Sequence, residues 1–377
     1  MNPKKTRILM VGWGWPPQIE GGLDTHIHNL TDALSAHKDI HIDLFLPKIN
    51  IPKNISPKDN IKIHPIDTQI KADTIDDLIT SVDAYNQKIA TTRFKPDIIH
   101  IHDWIGIEAG IDLKHRLKIP LILTVHSLEY MRTATDSPQS QNDIEQIEKK
   151  GIETADKIIT VSRLMKDEII KRYDINKENI MVVPNGPTFK QDTKPTEKEK
   201  DLIVYCGRLA GQKGVEYLLL AAKDILKRRK DAKFVIIGKG YMEKQLKGLA
   251  QLLGIDDSIK FTGFIKQEDI EEYYRKAEMV VAPSIYEPFG ISVLDALVTG
   301  TPAITTKDAG IAEDLKDNIE ILKIERRNSE SLKDAILKIL ENPKLKEQLS
   351  INGMRASKNY SWTKIAKTTK DIYLNRL

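Results

Sequence analysis

Arg208 and Lys213 stand five residues apart in YCGRLAGQKG, which follows the short apolar run at 202–206. A strand that runs into a glycine-bearing loop and then a helix opened by Gly214 can bring both cations to one diphosphate. The guanidinium would grip bidentately and the ammonium would act as a point charge. The loop lacks G-x-x-x-x-G-K-[ST], so it is not a Walker A loop. Two solvated surface charges are the plain alternative in a chain with 58 Lys and Arg. Further along, APSIYEPFGISVLDALVTGTP places Glu287 where an apolar run gives way to a helix. Pro288 suits a first helical turn, so the helix is expected to run from Phe289 to a stop at Gly300. The amides of Phe289, Gly290 and Ile291 would be open helix-start donors for phosphate oxygens. The Glu287 carboxylate could then accept sugar hydroxyls. Asp295 lies about two turns on, with apolar neighbours on both sides, which is unusual for a surface helix. The plain alternatives are a carboxylate placed favourably in the helix dipole at 287 and a solvated residue at 295.

A third stretch, GWGWPPQIEGG at 12–22, follows the apolar run RILMV. Gly12 and Gly14 fit the start of G-x-G-x-x-G, but position 17 is proline. Proline has no amide to offer a pyrophosphate, so the dinucleotide fingerprint fails. Gly21 and Gly22 instead open the periodic stretch LDTHIHNLTDAL, where backbone amides can approach an anion closely. An ordinary helix entrance is the alternative. On this reading Gly12 and Gly14 only turn the chain. All nine histidines fall between 26 and 126. His100 and His102 alternate on IIHIHDW and share one strand face. With Asp103 they could begin a metal-hydrolase site, or they could simply pack at a sheet end. No H-E-x-x-H accompanies them. His26 and His28, two apart on a predicted helix, point to different sides.

Elements must hold these residues. Candidate strands RILMV, HIDLFL, DIIHIH, LILTV, KIITV and NIMVVP alternate with helix-length segments. A polar, charged stretch at 188–201 then reads as a linker. The alternation restarts with LIVYCG, KFVIIG, IKFTGF, MVVAPS and PAITT. Apolar strands alternating with helices imply parallel sheets covered on both faces. The chain therefore reads as α/β, with two doubly wound Rossmann-like domains at 1–187 and 201–355, and 377 residues is long enough for both. The last stretch, 358–377, reads as one more amphipathic helix. Ligands of such sheets bind beyond the strands' carboxyl ends, so a cleft faced by both domains is the expected site.

Bulk properties narrow the classes. A net charge of +4 is too weak to argue for nucleic acid and suits a polyphosphate ligand. The single cysteine, Cys206, excludes an intramolecular disulfide, in keeping with a cytoplasmic protein. The basic start leads into only a short apolar run, so no signal peptide is expected. No run approaches the ~20 residues that span a bilayer. A lysine-rich surface would tolerate peripheral contact at the membrane's cytoplasmic face.

Taken in order, these stretches resemble the retaining GT-B glycosyltransferases of the glycosyltransferase 4 type (group 1), relatives of glycogen and starch synthases. EPFGxxxL after PSIY, with GRLAGQKG before it, carries the resemblance. PPQIEGGLDTH, PDIIHIHDW, LILTVHSLEY, VSRLMKDEI, MVVPNGP and NYSWTKIAK extend it along the chain. The resemblance implies that the terminal helix crosses back onto the N-terminal domain. It places Gly21 and Gly22 near the donor diphosphate, held by Arg208 and Lys213. Glu287 matches the first acid of E-x7-E, which contacts the donor sugar. Asp295 stands where the second acid usually binds the nucleotide ribose, and is one methylene shorter. His126 matches a histidine near the donor sugar. Ala309, in DAGIAED, replaces the first of two glycines found in many members. His102, Asp103 and Trp15 fall on the acceptor side.

The implied activity is metal-independent transfer of a hexose from a UDP-, ADP- or GDP-sugar to a glycan, lipid-linked or small acceptor. No cofactor is expected. No D-x-D pair stands at a strand end, so fixed cations and amide dipoles must stabilise the leaving diphosphate. A non-hydrolysing nucleotide-sugar epimerase shares the two-domain architecture and is the nearest rival. A metal-dependent hydrolase centred on His100 and His102 is a more distant one.

Overall fold

The structure, a computed structural model, describes residues 5–16, 21–53, 55–71, 74–133, 139–190 and 196–375. Pro17 and residues 191–195 of the charged stretch lie outside the described residues. The chain divides into two compact units, Met1–Gly186 with Trp362–Leu377, and Pro187–Ser361.

The first unit is built on a seven-stranded sheet in the order β3-β2-β1-β4-β5-β6-β7. In chain order its elements are β1 (Thr6–Val11), α1 (Gly22–Leu34), β2 (Ile40–Pro47), β3 (Ile61–Ile66), α2 (Ile75–Ala90), β4 (Ile98–His102) and α3 (Ile107–Leu117). Then come β5 (Leu121–Val125), α4 (Glu129–Thr133), α5 (Gln139–Thr154), β6 (Lys157–Thr160), α6 (Arg163–Tyr173) and β7 (Ile180–Val182). Every pairing is parallel, with Ile8 opposite Ile42 on one side and Ile98 on the other. Such strands are buried on both faces, which is why β1 and β5 are mostly apolar and why the histidines of β4 are buried too. The unit's core joins Ile8, Met10, Ile27, Leu30, Ile42, Ile122 and Ile159.

The second unit carries a six-stranded parallel sheet in the order β10-β9-β8-β11-β12-β13. It runs β8 (Leu202–Cys206), α7 (Val215–Arg228), β9 (Lys233–Ile237), α8 (Glu243–Leu253), β10 (Ile259–Gly263), α9 (Gln267–Lys276), β11 (Met279–Ala282) and α10 (Ile291–Val298). It ends with β12 (Ala303–Thr306), β13 (Leu322–Ile324), α11 (Ser329–Glu341) and α12 (Pro343–Ser357). The final helix, α13 (Trp362–Leu374), belongs to the first unit, where it packs along α1. Tyr373 on α13 reaches His100 of β4, and Lys370 pairs with Asp39.

The sequence reading lacked β3 and β13. Both are edge strands. Pro65 interrupts the first, as edge strands tolerate, and the second has only three residues. The described part of the charged stretch is bound within the second unit. Glu199 N donates to Lys276 O and Lys198 Nζ to Thr301 Oγ1. No helix among the described residues is long and apolar enough to cross a membrane.

Candidate active-site residues

In the second unit, the loops after the adjacent parallel strands β8 and β11 are stitched together. The amides of Ile285 and Tyr286 both donate to Gln212 O, at 2.8 and 3.1 Å. Gly214 has φ 64°, and a Cβ there would sit 2.3 Å from Pro283 O, so only glycine lets the loops approach this closely. Lys213 Nζ then donates to Glu287 Oε2 at 2.9 Å, and Ser284 Oγ donates to the same oxygen at 3.1 Å. The cation and the acid singled out in separate stretches thus form one ion pair, with 23% and 12% of their side chains exposed. Arg208 is exposed on the same loop. The Gly211 amide donates to Tyr241 OH at 2.8 Å.

The helix after Glu287 begins later than expected. Pro288 is outside it, and α10 starts at Ile291. The cause is Gly290, whose φ of 119° breaks helical geometry just before the first turn. Two bonds hold the loop in that shape, Gly310 N to Glu287 O and Ile311 N to Phe289 O. Ala309 is fully buried and precedes this contact. The amides of Phe289, Gly290 and Ile291 meet no acceptor among the described residues. They remain donors in a loop-to-helix turn instead of inside a helix.

Asp295 is no solvated helix residue. It is 6% exposed, and its Oδ1 accepts Thr188 N at 2.6 Å and Phe189 N at 3.4 Å. Burial pushes its carboxyl up to about 7, against the pull of those amides. The acid's nearest partner is the backbone where the chain enters this unit, a role its position in E-x7-D did not suggest.

In the first unit, α1 begins at Gly22, with Gly21 as its extended N-cap. Gly14 does more than turn the chain. Its amide donates to the buried Asp24 carboxylate at 2.8 Å, tying the loop to α1. Gly12 N donates to Phe45 O, extending the sheet. Trp15 packs edge-on against His28 at 4.7 Å.

Behind this loop the histidines gather. His26 of α1, His102 of β4 and His126 after β5 offer ring nitrogens within 4.8 Å of one another. His102 Nδ1 lies 3.2 Å from His126 Nε2, and His26 Nδ1 lies 2.6 Å from Asn185 Oδ1. His102 Nε2 is buried and takes no partner among the described residues. Burial lowers every ring, with His100 and His126 taken to about 3. All four are therefore neutral at pH 7 and suited to exchanging hydrogen bonds with hydroxyls. The three clustered rings are the described residues that could hold a metal. His100, on which the hydrolase reading leaned, is spent. Its nitrogens meet Tyr373 OH and Thr124 Oγ1, both at 2.7 Å. Asp103 turns its carboxylate onto the His126 amide at 2.7 Å.

Sequence reasoning did not single out Asp24, Ser284, Tyr241 or the carbonyl of Gln212. Tyr241 and the Gln212 carbonyl act on segments 30 or more residues away, whereas Asp24 bonds Gly14 ten residues back and Ser284 bonds Glu287 three residues on. Asn185 and Ser284 stood inside quoted motifs, PNG and PSIY, which was the only signal for them.

Comparison with known proteins bears on the whole chain. The model of glycosyl transferases group 1 matches residues 188–356, and that of glycosyltransferase family 4 matches 20–187. An uncharacterized glycosyltransferase of Methanocaldococcus jannaschii is 29% identical, covering 97% of both chains. The glycogen synthase of Mycobacterium tuberculosis is 25% identical, covering 98% of this chain and 94% of its own. Among solved structures, sucrose-phosphate synthase from Thermosynechococcus elongatus superposes with a TM-score of 0.82 at 22% identity, covering 98% of each chain. HepE from Anabaena, solved with UDP-glucose, gives 0.76 at 17% identity over 97% of this chain and 99% of its own. The architecture is GT-B. These matches support neither the hydrolase nor the epimerase reading; two paired-sheet units, a cation–acid pair at one sheet's carboxyl edge and matches running from residue 20 to 356 make this chain a glycosyltransferase of family 4, group 1.

Proposed function

We propose that the chain is a retaining glycosyltransferase that moves a hexose from a nucleotide-sugar donor to a glycan, lipid-linked or small acceptor, without a bound metal. The observation that carries this reading is the Lys213–Glu287 pair, with Arg208 on the same loop and open amides at 289–291. Breaking a sugar–diphosphate bond builds negative charge on the leaving group, which fixed donors stabilise. Arg208 and Lys213 take that charge, and the amides of Phe289, Gly290 and Ile291 add dipoles.

At about 4 Å a unit-charge pair gains roughly 4 kcal/mol at an effective dielectric near 20. Only the part that grows in the transition state speeds the reaction. About 1.4 kcal/mol of it from each cation gives roughly a hundredfold. Glu287, poised between Lys213 and Ser284, accepts donor-sugar hydroxyls. His126, neutral, is assigned the same role toward the sugar, and Gly21 and Gly22 a role toward the diphosphate. Trp15 lies on the acceptor side.

Asp295 can serve the ribose only by sharing the oxygen that holds Thr188 and Phe189. The His102–His126 contact occupies one nitrogen of each ring, and we read the three-histidine cluster as a sugar-facing group. HepE was solved with UDP and with UDP-glucose, which supports a nucleotide-sugar partner. We place the protein in the cytoplasm, with its acceptor reached there or at the membrane face.

The test is nucleoside diphosphate release from UDP-glucose, ADP-glucose, UDP-N-acetylglucosamine and GDP-mannose in EDTA with trial acceptors, followed by proton NMR of the new anomeric centre. The account predicts release from one donor in EDTA and an α-linked product. A β-linked product, or release only with added metal, overturns it.

A further inference from the structure

We propose that Asp103 is a positioning residue, which sets the place of the His126 imidazole through the main chain and does not itself touch substrate. The inference deepens the reading above, because it rests on His126 meeting the donor sugar.

Asp103 follows the last residue of β4 and holds a backbone conformation of φ 52°, ψ −166°. An L-residue is disfavoured at positive φ, and glycine would be at ease there. The position keeps a side chain in spite of that, and the side chain is fully used. Its Oδ1 accepts the amide of His126 at 2.7 Å, and its carboxylate also draws on the Ser127 amide. Its own N–H donates to Thr124 O at 2.8 Å. One residue therefore clasps the end of β5 on both sides of Val125, and His126 is the first residue beyond that strand.

The side chain is directed away from solvent, with 9% of the residue exposed, so its carboxylate is not a surface ligand. Burial pushes its carboxyl up to about 6, while Arg132 on α4 pulls the other way. The imidazole being placed is itself crowded. Its Nε2 meets His102 Nδ1 at 3.2 Å, and its ring meets that of His26 with centroids 4.5 Å apart. A small shift of the main chain at 126 would move the ring against both neighbours. The strained conformation and the buried carboxylate are separate observations with one consequence, a fixed His126. Such backbone outliers are retained where surrounding structure and function hold them.

Two variants separate placement from folding. Asp103→Gly removes the carboxylate and relieves the backbone. Asp103→Asn keeps one acceptor oxygen and leaves the backbone strain in place. Each is compared with wild type in binding of UDP-glucose against UDP, with ADP-glucose against ADP and GDP-mannose against GDP as the other pairs. Each is also compared in imidazole resonances of protein labelled with ¹⁵N-histidine.

In Asp103→Gly, the nucleoside diphosphate should bind as in wild type, the added affinity from the sugar should fall tenfold or more, and turnover a hundredfold or more. The His126 resonance should move while those of His41 and His64, on β2 and β3, stay. Asp103→Asn should fall between the two. A wild-type sugar-to-diphosphate ratio with an unmoved His126 resonance in both variants overturns the proposal. If wild type binds none of the three pairs, the donor reading fails instead, and the His126 resonance alone decides the role of Asp103.

Discussion

Asp295→Asn should remove a pH dependence from the second unit. In the folded protein the Asp295 carboxyl is pushed up to about 7, from 3.8, mainly by burial. A group raised in this way stabilises the fold fully below its unfolded value, and that stability is lost as pH rises through its folded value. Taking about 7 folded and 3.8 unfolded, the loss between pH 5 and pH 8 is about 2–3 kcal/mol. Asparagine keeps an acceptor for Thr188 N and does not titrate.

All four tryptophans, Trp13, Trp15, Trp104 and Trp362, lie in the first unit, so tryptophan fluorescence follows that unit and far-ultraviolet circular dichroism follows both. Urea unfolding by both probes at pH 5 and pH 8 isolates the second unit. The wild type should lose about 2–3 kcal/mol more than the variant in the dichroism transition, and the fluorescence transition should not distinguish them. Equal losses in the dichroism transition would refute the buried, backbone-facing carboxylate.

Further outcomes follow from the same contacts. Lys213→Met leaves Glu287 with Ser284 alone; screened as the pair is, the second unit should weaken by about 1 kcal/mol, while turnover falls about tenfold, read by calorimetry and by diphosphate release. Gly290→Ala must accept φ 119° and a Cβ 2.9 Å from Ile311 Cγ2; it should destabilise by about 1–3 kcal/mol and weaken diphosphate binding, both measurable by urea unfolding and calorimetric titration. Tyr373→Phe leaves His100 Nδ1 buried without its partner; it should cost about 1–3 kcal/mol in the fluorescence transition of the first unit and leave the second unit unchanged.

The parts of this protein most legible in sequence were those where local pattern and role coincide. Runs such as RILMV and LILTV are strands because both faces of a parallel sheet are buried, and the Arg208–Lys213 loop sits where a strand meets a helix. Orientation was less legible. Asp295 keeps helical spacing from Glu287, yet only the return of residues 188–189 makes it a backbone anchor. Pro288 and Gly290 carry opposite helix-start signals, and the contact with Gly310 and Ile311 decided between them. His100 and His102 could be placed on one face by alternation. That His100 is closed off by Tyr373, 273 residues away, was beyond any local rule. The positive φ of Asp103 has no sequence signal, because aspartate is common after strands for many reasons.

The central claim is that a nucleotide sugar binds without a metal. Thermal unfolding with UDP-glucose, ADP-glucose, UDP-N-acetylglucosamine and GDP-mannose, each in EDTA, tests it most directly, with dichroism following both units and tryptophan fluorescence the first alone. A ligand at a hundred times its Kd stabilises by about 2.7 kcal/mol, and roughly 2–4 °C accompany each kcal/mol in domains of this size. The account predicts a rise of several degrees for one of these donors with EDTA present. No rise for any donor, together with a rise on adding zinc or manganese alone, would contradict it and turn attention to His26, His102 and His126.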